Sequence, residues 1–168
     1  KGEFIPATTI GWDYIPTWFC INTPITYLIL GFAGIILFIL NALKTLTKFD
    51  LKNLDKTNLL FHLSFFAPVI VVIVLKSVLY DTWRHLFYIY PAFILLAIYF
   101  LNYCFSIKAN KIVITITSLS LASVSYFIIA NFPFHHVYFN QFVSLHGDDF
   151  IRKNYEMDYW GVSYNKAL

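Results

Sequence analysis

The chain has 168 residues, 59% of them hydrophobic, 20% aromatic and only 12% charged, with a mean hydropathy of +0.66 and a formal net charge of +3. Such a composition lies far outside the soluble range and excludes an ordinary water-soluble domain. The lysines sit in loops beside long apolar runs and form no basic stripe, which excludes a nucleic-acid surface.

The sequence opens at Lys1 with no initiator Met and no signal-peptide pattern, and stops at Leu168 just after a helix-start signal with Ser163 as a cap. It is therefore expected to be a C-terminal portion of a longer protein. Residues 1–22 mix turn formers with Trp12, Tyr14 and Trp18 and read as an irregular segment at lipid-headgroup level. A first span is expected over 23–43, with Thr23 as its cap and Pro24 in the first turn, where no amide donor is lost. Gly31, Ala33 and Gly34 mark the face on which a neighbouring backbone can approach.

A lysine-rich loop, 44–58, leads to a second span at 59–79, in which Pro68 is expected to produce a kink. His62 at its loop end reads as structural, and Lys76 near the far end can extend its amine to the lipid boundary. Six residues, Tyr80-Asp81-Thr82-Trp83-Arg84-His85, separate this span from a third at 86–105, so the connection is expected to be a tight hairpin. Pro91 falls in the first turns of the third span. After Lys108 and Lys111 comes a fourth span at 112–132, whose Ser118, Ala122 and Ser125 share one face and predict tight packing on another helix.

The loops 44–58 and 106–111 hold six lysines against Asp50 and Asp55, net +4, while the rest of the chain holds six basic residues against seven acids, net −1. Positive loops stay in the cytoplasm, so residues 1–22, 80–85 and 133–168 should share the exterior face. Cys20 and Cys104 then lie on opposite faces, separated by about 30 Å of hydrocarbon, and cannot pair. The expected architecture is an all-α integral membrane protein with four transmembrane helices (residues 1–132) and a small exterior polar extension at the C-terminus (133–168). Thirty-six residues are too few to bury a core of their own, so the extension should pack on the membrane face or on other protein.

Several chemistries are weakly represented. His135 and His136 are adjacent and on extended backbone point to opposite faces, and Asp148-Asp149 is too short for a calcium loop, so no metal site is expected. No phosphate-binding glycine loop or nucleophile elbow is present. The hairpin carries more. Asp81 is placed to cap the third span, and Arg84 and His85 follow at helical spacing, so the segment reads either as a cap with a boundary arginine or as an anion site. In the second reading Arg84 supplies a planar fork of donors, His85 another, the helix start a partial positive charge, and Lys76 a weaker third cation.

Tyr80-Asp81-Thr82-Trp83-Arg84-His85 with Tyr90-Pro91, then Val137-Tyr138-Phe139-Asn140 and Met157-Asp158-Tyr159-Trp160-Gly161-Val162-Ser163-Tyr164, resembles the C-terminal half of bacterial membrane glycosyltransferases related to protein O-mannosyltransferases. Thr82 departs from the pattern, standing where Gly is expected. The resemblance implies a multi-pass enzyme of the bacterial plasma membrane, both ends of this chain outside, that takes a sugar from a polyprenyl-phosphate-linked donor within the lipid to an exterior acceptor, without a cofactor. It implies a donor-phosphate site at Arg84, His85, Lys76, Asp81 and Tyr80, and an acceptor cleft shaped by Trp12, Asn140, Asp158, Tyr159 and Trp160. The catalytic acid of such enzymes lies in a first exterior loop, so no residue here inherits that role. Two other classes compete: a lipid-linked-sugar flippase or transporter, which wants ionisable groups near mid-membrane that these spans hold sparsely, and a non-catalytic membrane scaffold.

The loop charges generate a topology test. In a background lacking Cys20 and Cys104, an impermeant thiol reagent applied to intact cells should modify a cysteine at position 147 and spare one at position 53. The reverse pattern would overturn the four-span arrangement.

Overall fold

A computed structural model describes residues 11–47, 54–79, 82–107, 110–133 and 137–155. Among these residues there are helices and no strands: α1 (Tyr14–Asn22), α2 (Ile25–Thr47), α3 (Lys56–Val74), a 3₁₀ segment (Arg84–Ile89) leading directly into α4 (Tyr90–Ser106), α5 (Asn110–Ala130), α6 (Gln141–Ser144) and α7 (Asp148–Asn154). Four stretches, Ile25–Thr47, Lys56–Val74, Arg84–Ser106 and Lys111–Ala130, are long and apolar enough to cross a membrane. The chain is a helical, multi-pass membrane protein.

Each span differs from its expected limits for a local reason. The first span begins at Ile25 because the carbonyl of Pro24, one residue beyond the expected cap, accepts from the Tyr27 and Leu28 amides at 2.9 and 3.1 Å; the Thr23 hydroxyl is buried with no hydrogen-bond partner among the described residues. It runs on to Thr47, where Thr45 and Thr47 turn their hydroxyls back to the Asn41 and Lys44 carbonyls and so satisfy acceptors of the last turns.

The second span starts three residues early because Asp55 caps it, accepting from the Asn58 amide at 3.0 Å and from the Asn58 side chain at 2.6 Å. The same two bonds, backbone first, hold the Asp55 carboxyl below its ordinary range. The helix continues through Pro68 and stops at Val74, five residues before the expected end. Lys76 there takes a left-handed backbone (φ 47°), its amide bonded to Ile73 and the next amide, of Ser77, bonded to Val72. These two bonds form the Schellman arrangement that ends helices, usually with Gly at the left-handed position. The connection to the next span is thus longer than a six-residue hairpin.

That connection re-enters the bundle through a second left-handed residue, Thr82 (φ 64°), so the backbone geometry for which Gly is suited is adopted by a β-branched residue. Trp83 precedes the 3₁₀ segment with no side-chain cap, and Pro91 lies in the first turn of α4, where its missing amide costs nothing. Asp81, the expected cap, lies outside the described residues.

The core is built on α4. Ile89, Phe93 and Leu96 are fully buried, and α2 and α3 lie against them. Gly31 and Gly34 make the α2 contact: a Cβ on Gly31 would run into the Phe93 ring, and one on Gly34 into the Leu96 carbonyl oxygen. The small-residue face of the first span therefore packs as its sequence indicates. At the other end of α3, His62 is buried, donates from Nδ1 to the Asn58 carbonyl at 2.6 Å and stacks on Phe38 at 4.1 Å.

Two expectations are corrected. Residues 14–22 form a helix and not an irregular segment, and its Ile15, Trp18, Phe19 and Ile21 belong to the core, because the apolar side chains on α1 find a packed surface beneath them. The fourth span has no buried residue: Ala122 and Ser125 are exposed, and Ser118 faces α4 only across a gap of about 120 Å³ that Leu101 and Phe105 help to line. Its apolar surface stays exposed, as the surface of a spanning helix can, since lipid tails suit such side chains as well as protein does.

The α2–α4 contact generates a test. Gly34→Ala sets a methyl against backbone that cannot rotate away, and should cost about 1–3 kcal/mol, read as a lower thermal midpoint in detergent. Gly31→Ala, opposed only by a ring, should cost less; equal midpoints for Gly34→Ala and the parent would refute the close approach.

Candidate functional site

The end of the bundle where α2 begins and α3 and α5 end carries most of the polar chemistry. α1 lies across it and fastens two other segments. On one side the Thr82 amide donates to the Tyr14 hydroxyl at 3.1 Å, and Trp83 packs on Phe19 with ring centres 5.1 Å apart. On the other, Phe139 and Tyr155 close on Trp18 at 6.4 and 5.7 Å. Residues 137–155 therefore pack on α1, contributing Phe139, Val143 and Ile151 to the common core.

Asn140 is the strongest fastening. It is 3% exposed, and its Nδ2 donates to the Cys20 and Thr23 carbonyls at 2.6 and 3.0 Å, while its backbone amide donates to Ile21 at 2.9 Å. Its Oδ1 accepts from the Val143 amide at 3.3 Å and caps α6. These bonds satisfy carbonyls left open where α1 ends. Asn22 reciprocates, donating to the Tyr138 carbonyl at 2.7 Å. Downstream, Gly147 turns the chain with φ 83° into α7, where Asp148 and Asp149 occupy the first turn and Arg152 and Lys153 the last, matching the helix dipole at both ends. Asp148 and Asp149 thus begin a helix.

The expected donor-phosphate residues divide. Arg84 and His85 open the 3₁₀ segment immediately after buried Trp83, Arg84 half-buried and His85 exposed. Lys76 is exposed just beyond the end of α3. All three belong to the same end of the bundle; Tyr80 and Asp81 lie outside the described residues. Of the acceptor-cleft residues, Asp158, Tyr159 and Trp160 also lie outside them. Trp12 and Asn140 are not brought together: exposed Trp12 precedes the N-terminus of α1 while Asn140 is bound at its C-terminus, roughly 13 Å along the helix at 1.5 Å per residue.

A polar group not singled out in the sequence lies beside these. The phenols of Tyr27, Tyr90 and Tyr138 are close enough to interact electrostatically. Burial, and then Tyr27, push the Tyr138 hydroxyl above its ordinary range, the adjacent Gln141 amide offsetting part of the rise without reaching hydrogen-bonding geometry. Asn140 followed by Gln141, Phe142 and Val143 is a helix-start signal that would have assigned Asn140 its capping role. The tyrosines carry no such local signal, since they come from three distant parts of the chain. Among the described residues no group of three His, Cys, Asp or Glu side chains could hold a metal ion.

These features define the class, a multi-pass membrane protein with a polar, aromatic platform at one end of its bundle. No family model, curated protein or solved structure matches the chain.

The Asn140 contacts generate a test. Asn140→Ala removes a cap and leaves two carbonyls unbonded, which should cost about 2–3 kcal/mol and open residues 137–155 to limited proteolysis. Parent-like stability and cleavage would show that the platform is held otherwise.

Proposed function

We propose that this chain is part of a membrane glycosyltransferase that moves a sugar from a polyprenyl-phosphate-linked donor to an acceptor at the exterior face of the bacterial plasma membrane. What supports the reading is that Arg84 and His85 share one helical turn where the third span begins, beside the platform that α1 and residues 137–155 build. At that depth a lipid phosphate is the natural anion for a guanidinium fork.

In the transfer, an acceptor hydroxyl attacks the anomeric carbon, the bond from that carbon to the phosphate oxygen breaks with its electron pair, and a base removes the hydroxyl proton. Arg84, seconded by His85, stabilises the negative charge on the departing phosphate. Lys76 adds longer-range positive potential. Packing on Trp83, itself held by Phe19, Phe87 and Tyr90, fixes the start of the 3₁₀ segment and so orients Arg84.

Arg84→Lys keeps the charge and loses the fork. In native membranes it should raise the donor KM about tenfold, the equivalent of 1.4 kcal/mol, with an unchanged thermal midpoint. Parent kinetics at parent stability would overturn the phosphate assignment.

A further inference from the structure

A second concavity at this end of the bundle has chemistry unlike that of Arg84. Between the C-terminal half of α5 and residues 138–144 lies a cavity of about 240 Å³. That is room for several waters at about 30 Å³ each, yet below the roughly 300 Å³ where sites for drug-sized ligands begin. Among the described residues, none that lines it is charged. Ser123, Asn131, Gln141 and Ser144 bring hydroxyls and amides, and the Phe127 and Tyr138 rings, 4.9 Å apart and nearly perpendicular, form an aromatic corner. The Tyr138 hydroxyl is buried with no hydrogen-bond partner among the described residues. A buried polar group in that state has unspent bonding capacity.

We propose that this cavity binds a single uncharged sugar ring. The uncharged walls formed by the described residues disfavour a phosphate or carboxylate, which would be stripped of water without compensation. Hydroxyls and side-chain amides both donate and accept, as a polyol requires. An aromatic face, negative in its quadrupole, suits the weakly positive C–H face of a pyranose. A simple acyl chain would leave the polar walls unpaired. The inference deepens the transferase reading and rests on it for the origin of the sugar. It also gives α5 a purpose, since Ser123 and Phe127 are among the few positions where this helix meets the rest of the chain.

The test uses the whole protein in lipid nanodiscs with a photoreactive alkyl hexopyranoside, and a glycerol-headed probe of the same chain length as control. Crosslinks should map to residues 123–131 and 138–144 and be competed by unlabelled alkyl hexoside. Ser123→Leu, which fills the cavity, should abolish them. Tyr138→Phe, which removes only the hydroxyl, should weaken competition about fivefold, the loss of roughly one hydrogen bond. Arg84→Lys should leave labelling intact. Crosslinks that map elsewhere, that survive both cavity variants, or that form equally with the glycerol probe would overturn the proposal. Labelling that follows this pattern in a protein whose sugar transfer ignores Arg84 would sustain the cavity and remove the transferase reading; Arg84-dependent transfer with labelling elsewhere would do the opposite.

Discussion

The ring of Phe19 is the contact on which the functional end of this molecule depends. It meets Phe65 on α3, Trp83 in the connection, and Tyr90 and Phe93 on α4, with centres 4.9 to 6.5 Å apart and edge-to-face angles throughout. Such pairs add about 0.5–1.5 kcal/mol each beyond simple burial. One side chain from a nine-residue helix therefore ties together two spans and the turn that presents Arg84. Such packing matters for a helix as short as α1, since isolated helices below about 12–15 residues are marginal.

Polar bonding then supplies what aromatic packing does not, a defined direction. Ring contacts tolerate sliding, whereas the bonds from Asn140 to Cys20, Ile21 and Thr23 admit only one register of residues 137–144 on α1. Asn22 closes the pattern through the Tyr138 carbonyl. The Thr82 to Tyr14 bond does the same for the other flank. Two left-handed residues that are not glycine, Lys76 and Thr82, stand on either side of the connection, each at a cost of order 1–3 kcal/mol that the surrounding packing must over-determine.

Apolar length made the four spans legible in the sequence, because only helices satisfy their backbone within lipid. The Gly31 and Gly34 face was legible for the same kind of reason: absence of a side chain has one dominant use inside a membrane. Span ends were less so. Lys76 does not look like a left-handed stop, and the Thr45 and Thr47 back-bonds that prolong α2 depend on side-chain geometry that residue type leaves open. The helical character of residues 14–22 was hidden by Pro16, read as a turn former when it sits in a first turn. Within the site, Arg84 and His85 stood out as charges beside apolar runs. Asn140 was visible as a residue yet not as a clamp, and the tyrosine group was invisible, because it exists only once three distant segments are folded together.

The lack of any fully buried side chain on α5 bears on how such a protein can vary. A helix that presents no buried side chain answers to the solvent around it and hardly at all to its neighbours, so its sequence is free to drift among apolar residues with little loss. Ser123, Val124, Phe127 and Asn131, which face residues 138–144, are among the exceptions. Variation among related chains would gather on the remaining surface of α5, leaving a short band of constraint near its C-terminal end that marks, from sequences alone, where the helix does more than cross the membrane.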